Sequence, residues 1–438
     1  MQTFIISFFA MAGSLSVLNA QSALPYTTYS TMDEMMAAND ARYVPLVRVS
    51  DPGTSAKPAY TGFFFYQCLQ FDQSGRYLLG MKIHVQNRIV EPTDVGEIGF
   101  FDRKQAFQWT RIGQTTAWNW QQGARLQWRP LSDEIVWNDR SDDGRHFIAR
   151  VYDFRTGKRR TLPRPIYALS PDGRTALTHD FERMKHGGTD YVGIEDKFKN
   201  EFAPSGTGIW KMDMDSGQSK MILSIKKIAA LVYPGGAPSS GCLYVFREGY
   251  NPSGTRIIVF VKESESRMTK GFSMTPEGTS IRYLYNSPSH HSWQDDDSIM
   301  DWGEHVPPGG GPPVKGYFLF RDDGSGAAKE LLWTTPHNGH NSYVPRPGGD
   351  WILSDTYSID GVQHLFLYHR PAKRFVPLAK LKSTAQMGIH RVDLHPRLSP
   401  DGNTISIDST YEGLGRQMYI ADIGHIVNNP PGRRTPGR

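Results

Sequence analysis

Cysteine is nearly absent from this chain: Cys68 and Cys242 are the only two among 438 residues. That excludes a disulfide framework and leaves room for one bridge at most, with two buried free thiols as the expectation. Long apolar runs are equally scarce. The single one, Phe4 to Val17, is followed by Leu18-Asn19-Ala20 in the place of a cleavage site. It predicts a signal peptide over 1–20 and a secreted, extracellular protein, although no Lys or Arg precedes it. Nothing else approaches the roughly 20 residues of a membrane span, so no membrane partner is expected. Helical patterning is missing outside "STMDEMMAANDARY". The chain has no Gly-x-Ser-x-Gly elbow, no His-Glu-x-x-His, no P-loop and no Cys-x-x-Cys. "GEHVPPGGGPP" is Gly-rich but lacks the Lys-Ser/Thr of a phosphate loop. The formal charge of +5 suits an ordinary surface balance or a preference for acidic polymers such as uronic-acid polysaccharides. The basic residues form no stripe, so no nucleic acid is expected as a partner.

Turns and short strands are plentiful instead. The 43 Gly, 29 Pro and 12% aromatics favour many strands joined by turns. One pattern recurs: an aromatic residue or Leu, a polar turn of the Ser-Pro-Asp-Gly kind, then a β-rich run. It occurs at "QFDQSGRYLLGMKIH", "QWRPLSDEIVWNDR", "ALSPDGRTALTHDF", "GYNPSGTRIIVFVK", "SWQDDDSIMDWG", "SYVPRPGGDWILSDTY" and "RLSPDGNTISIDSTY". The anchors are Phe71, Trp128, Leu169, Tyr250, Trp293, Tyr343 and Leu398. A second alternating strand and turn follow each copy, from "IGFFDRK" to "MYIADIG", the hairpin signal. Seven units of four short strands predict an all-β, seven-bladed β-propeller with antiparallel blades over 21–427. The seventh unit stops after three strands, and "ARYVPLVRV" near the N-terminus is expected to close the ring. A two-domain α+β chain is the alternative. The Pro/Gly/Arg-rich stretch 428–438 is expected to be a disordered basic tail.

In a propeller the innermost strands line a central channel, and they begin on the face where the second strands end. Three residues before the anchors stand Cys68, Arg125, Ile166, Arg247, His290, His340 and His395. The second strands end in His84, Asn138, Arg140, His179, Arg183, Lys262, His305, Tyr357, Tyr411 and Glu412. The expectation is a polar, histidine-rich mouth. His290, His340 and His395 share one structural position in three adjacent blades. They either hold a divalent metal (Mn, Zn or another ion suited to imidazole) or brace the blades through hydrogen bonds. Calcium on oxygen ligands is a further option, with carboxylates available in "QDDDS" at 294–298. In "AWNWQQG", Trp118 and Trp120 are candidates to stack on sugar rings and Gln121 and Gln122 to bond hydroxyls, or the Trp pair fills the core.

With the units aligned, the chain resembles the seven-bladed β-propeller polysaccharide lyases over nearly its whole mature length. "LGMKIHVQNRIVEPTDVGEIGF", "AWNWQQGARLQWRP", "NGHNSY" and "DLHPRLSPDG" look most like the secreted rhamnose–glucuronate lyases. That resemblance implies release of terminal rhamnose from glucuronate on arabinogalactan of the gum-arabic type. The oligogalacturonate lyases share a similar fold and bind a metal through histidines of neighbouring blades. Their Gln-x-x-His-x-His run is absent here.

A uronate lyase removes the proton at C5 and expels the oxygen at C4. It needs a neutraliser for the carboxylate, a base and an acid. His84, ending "KIH" before a long loop, is the first acid/base candidate and His179 the second. Arg125, Arg183 and Arg247 are candidate neutralisers, with Arg88 a further substrate contact. Tyr244 and Tyr357 are candidate proton donors. The expected partner is an acidic polysaccharide and the expected state a monomer. A non-catalytic binding propeller and a hydrolase using two carboxylates, with Asp355 and Asp408 in second-strand positions, are the rivals.

Overall fold

The computed structural model describes residues 24–39, 43–184, 189–385 and 388–432. The expected signal peptide and residues 433–438 of the basic tail lie outside the described residues. Seven antiparallel four-stranded sheets follow one another along the chain, at 60–115, 127–162, 168–224, 243–286, 292–334, 341–382 and 397–422. The seventh takes its outermost strand from the N-terminal segment. Val47 pairs with Ile420 and Arg48 with Tyr419, and the Val49 amide donates to Met418 O. Upstream, Tyr29 bridges Phe375 in blade six, so this one segment ties blades six and seven together. No described helix is long and apolar enough to cross a membrane.

The recurrent turn has a packing role. In blade seven Ser399 Oγ donates to Asp401 Oδ1 at 2.5 Å and the Gly402 amide donates back to Ser399 O. Gly402 has φ +66°, and a Cβ there would come within 2.9 Å of Val344 in blade six. Gly173 repeats this against Pro130 O of blade two. Glycine is required twice over, by the backbone and by the neighbouring blade. Alternating side chains then fill the space between sheets. Leu353, Leu365, Leu367 and Val376 of blade six meet Ile405, Ile407 and Tyr419 of blade seven, each buried aliphatic worth roughly 2 kcal/mol.

The helix Met32–Ala37 falls in the expected stretch, closed by a Thr31–Glu34 capping box. A second helix, Ile225–Val232, was not expected. It buries Ile225, Ile228, Ala229 and Val232 between blades three and four. Together with the segment 179–207 inside blade three, it accounts for the long interval between Leu169 and Tyr250. Cys68 and Cys242 are free and buried.

Candidate active site

Blade one departs from the repeat at the centre. Its innermost strand, Tyr60–Gly62, ends early and regains the sheet only at Phe71, which bridges Leu78. Between them Phe63, Phe64, Phe65 and Tyr66 cross the channel, all buried. Phe65 meets His395, and Tyr66 meets His290, His340 and His395. The channel is therefore blocked by an aromatic floor. On one side of it is a cavity of about 140 Å³, bounded by Phe65, Gln121, Gln122, Arg247, Lys262, His290, His340, Tyr357, Arg391 and His395. The other face opens into a larger cavity of about 900 Å³ lined by Leu69, Trp128, Leu131 and Phe154. Its charged side chains are engaged: Arg129 pairs with Glu134, Arg397 with Asp408 and Arg155 with Asp133, and Asp72 accepts the Ser74 and Tyr77 amides, so the smaller cavity is the chemical one.

The second strands hold the inner residues by side-chain clamps. Asn138 Oδ1 accepts the Ile166 amide at 2.6 Å. Asp301 Oδ1 accepts the His290 amide at 2.7 Å. Asp355 accepts the amides of both His340 (2.6 Å) and His395 (3.1 Å). Asp408 accepts those of Phe63 and Phe64 while Arg397 and Arg416 pair with it. Burial alone raises the Asp408 carboxyl, but the two guanidiniums outweigh it and hold it below the usual range. Burial pushes Asp301, which lacks such cations, up to about 6. Asp355 and Asp408 are thus clamps, and neither lines the cavity.

The three histidines come together as expected. Ring centroids of His290 and His340 are 4.4 Å apart, and those of His340 and His395 are 4.0 Å apart. His395 has left-handed backbone, φ +44°, a conformation costing a non-glycine residue of order 1 kcal/mol. Burial holds the imidazoles of His290 and His395 well below their ordinary pKa, so both are neutral. The compact donor set is His340, Asp393 and His395, with one ligand atom of each within 4.8 Å of the others. His290 is engaged elsewhere: Nδ1 lies 2.9 Å from Ser289 Oγ and 3.3 Å from Asn338 Oδ1, and Nε2 lies 3.2 Å from the Tyr357 hydroxyl. His340 Nδ1 faces Asp355, and His395 Nδ1 is buried with no hydrogen-bond partner. Two imidazoles and a carboxylate, one imidazole oriented by a second carboxylate, fit a divalent transition ion. The "QDDDS" carboxylates stand in a turn, where Asp296 accepts the Ser253 amide.

Opposite the histidines is a cationic wall. Blade four's innermost strand, Leu243–Tyr250, carries a bulge: Val245 pairs with Val261 and Arg247 with Phe260, leaving Phe246 extra. In a regular strand, consecutive side chains point to opposite faces. The bulge lets Phe246 and Arg247 both line the cavity. Arg247 is 6% exposed, its Nε and Nη1 have no hydrogen-bond partner, and its guanidinium rests against the rings of Phe65 and Phe246. No carboxylate pairs with it among the described residues. Arg391, by contrast, is paired with Asp393 at 2.9 Å.

The other expected site residues are dispersed. His84 is outside the cavity and half exposed, with Nδ1 3.0 Å from Pro58 O and Nε2 3.6 Å from Glu97. His179 is buried against Tyr167 and Phe181, 3.6 Å from Glu248. Arg183 is locked by Asp196 and four backbone carbonyls. Tyr244 is in an aromatic core, and burial raises its pKa. Arg125 stacks on Tyr167 and Phe65 and donates to Tyr167 O. Arg88 is paired with Asp94. Trp118 and Trp120 are core residues whose indole N–H groups donate to Asp94 O and Arg88 O. Gln121 lines the cavity and donates to Ile389 O and Arg391 O. Arg391 and Asp393 were not among the expected site residues, and Lys262 was expected at the mouth only as one of the second-strand ends, with no role. Asp393 had a usable signal: it stands two residues before His395 in "DLHPRLSPDG".

No protein-family model matches this sequence, and no curated protein matches it. Among solved structures, an oligogalacturonate lyase in complex with manganese is similar over 91% of this chain and 96% of its own, with 13% identity and a TM-score of 0.58. An oligogalacturonate lyase from Vibrio parahaemolyticus is similar over 91% and 96%, with 12% identity and a TM-score of 0.59. At such identities the likeness establishes the fold: this chain is a seven-bladed propeller of the architecture found in these lyases.

Proposed function

We propose that this chain is a polysaccharide lyase that cleaves the bond at C4 of a uronic acid by β-elimination in the central cavity. The observation that carries this is Arg247, a buried cation without a counter-ion beside His290 and Tyr357 in the central cavity. Such a group is matched by a substrate carboxylate. Neutralising that carboxylate lets the C5 proton leave, because charge building on it in the transition state is met by a fixed cation. The C5–H electron pair becomes the C4–C5 double bond, and the C4–O4 bond breaks. Tyr357, whose pKa burial raises, stays protonated and supplies the proton to O4. His290 holds the Tyr357 hydroxyl through Nε2. A divalent ion held by His340, Asp393 and His395 supplies further neutralisation when bound, a reading supported by the manganese complex of the similar lyase.

The sequence resemblance favours rhamnose as the leaving sugar, whereas the similar solved structures are named for oligogalacturonate. Secretion and a monomeric state accompany the polysaccharide reading as proposals. The test is incubation with rhamnosyl-glucuronate ends of arabinogalactan and, separately, with oligogalacturonate, following ultraviolet absorbance of the unsaturated uronate. Unsaturated product on the first substrate supports rhamnose release, and on the second alone an oligogalacturonate-type activity. Absence of unsaturated sugar on every uronate polymer overturns the lyase reading; saturated products would instead identify a hydrolase.

A further inference from the structure

The elimination requires a base, and the reading above does not assign one. We propose that Lys262 is the general base that takes the C5 proton, an inference that rests on the lyase reading. Lys262 is the next-to-last residue of the strand Ile257–Glu263 in blade four, paired with Tyr244 of the innermost strand. It borders the same cavity as Arg247, His290 and Tyr357. Its Nζ stands 3.7 Å from the centre of the Phe246 ring, the residue the bulge turns inward. No carboxylate pairs with it among the described residues.

The groups packed around Lys262 leave the amine isolated. From the innermost strand come Arg247, which is positive, and the Tyr244 phenol. On the other side Lys262 pairs with Thr269, and the neighbouring Lys270 donates to Val232 O. On its own strand Glu263 accepts the Glu265 and Ser266 amides of the following turn. Burial, with Arg247 adding to it, lowers the Lys262 pKa to about 7. An ordinary lysine, near 10.4, is almost wholly protonated at neutral pH and useless as a base; this one is about half free amine there. The alternatives are committed: Arg247 keeps its proton, Arg391 is paired with Asp393, both nitrogens of His290 have partners, and His340 and His395 belong to the metal-type cluster. In the step, the Lys262 amine takes the C5 proton and becomes an ammonium while Tyr357 gives its proton to O4; after the product leaves, the ammonium loses a proton to water and the Tyr357 phenolate regains one from water.

Two measurements test this. Competitive labelling of the wild-type protein with acetic anhydride across pH, read by mass spectrometry, needs no substrate; Lys262 should titrate near 7, and a titration near 10 overturns the proposal. In turnover, log kcat/KM of the wild type should rise with pH and level off above about 7. Lys262→Met and Lys262→Arg should each lower kcat by 10²–10⁴-fold with KM little changed. Recovery of activity in Lys262→Arg would mean that only the charge matters and would overturn a role as base, as would near-normal kcat in Lys262→Met. Absence of lyase activity in the wild type is a separate failure, of the reaction itself. The labelling result stands even if the variants fold poorly.

Discussion

Arg247 and Lys262 are two cations in one small pocket, and their chemistry is set by what is not beside them. A buried guanidinium without a carboxylate is costly, so its retention points to a ligand that completes it. Arg247→Gln should lower kcat/KM by about 10²–10³-fold. Because it removes an uncompensated buried charge, its melting temperature should equal or exceed that of the parent. A matching loss of stability in the melt would make Arg247 a structural residue instead. At the metal-type cluster, Asp355 orients His340 and pins His395. Asp355→Asn should weaken divalent-ion binding by about 10–100-fold, measured by titration with Mn followed by elemental analysis. The shared position of the three histidines was legible because repeats put equal residues at equal places. Lys262 was legible only as one polar strand end among many, since its altered basicity comes from burial and from Arg247.

Single elements decide what those residues face. The bulge at Phe246 is one extra residue, and removing it restores alternate pointing. Deletion of Phe246 leaves Arg247 opposite Phe260, on the face that Tyr244 and Lys262 share, so Arg247 should still reach the cavity and kcat/KM should fall by no more than about 10-fold while the far-ultraviolet circular dichroism stays that of a β-protein. A loss of activity beyond about 100-fold would show instead that the inserted Phe246 is needed to place Arg247. The segment Phe63–Tyr66 matters as much: by leaving the sheet it turns an expected open funnel into a floored pocket. No local pattern distinguishes "FFFY" in a strand from "FFFY" across a channel, because both are buried. The helix Ile225–Val232 was missed although Ile225, Ile228, Ala229 and Val232 follow the 3.6-residue period, because eight residues between strands give too short a run to stand out. The clamps were seen in part but misassigned: Asn138 was expected at the mouth and Asp355 and Asp408 as carboxylates of a hydrolase, whereas in the structure they and Asp301 hold backbone amides.

For the whole molecule, closure is the main stabilising device. Without Val47–Arg48, blade seven would end in the unpaired outer edge of the strand Gln417–Asp422, and unpaired edges invite association. Removing residues 24–50 should lower the melting temperature by roughly 10 °C or more and produce aggregates in size-exclusion chromatography; a monomer with unchanged melting would show that the strand is dispensable. The same closure brings the cavity walls together, since Gln121 of the loop before blade two hydrogen-bonds to Ile389 and Arg391 before blade seven.

From the sequence by itself follow the seven repeats, their strand order, the missing strand of the last blade and the element that supplies it. These rest on turn chemistry and on period-two alternation, which are local and recur in each copy. Only the tertiary structure decided which polar residues form a site. Arg125, Arg183 and His179 are polar residues used by the interior, whereas Arg247, Lys262, His290 and Tyr357 share a cavity. Hydrogen bonds set that difference for the arginines: Arg125 and Arg183 donate to backbone carbonyls, whereas Arg247 Nε and Nη1 have no partner, and these contacts are fixed by segments far apart in the chain.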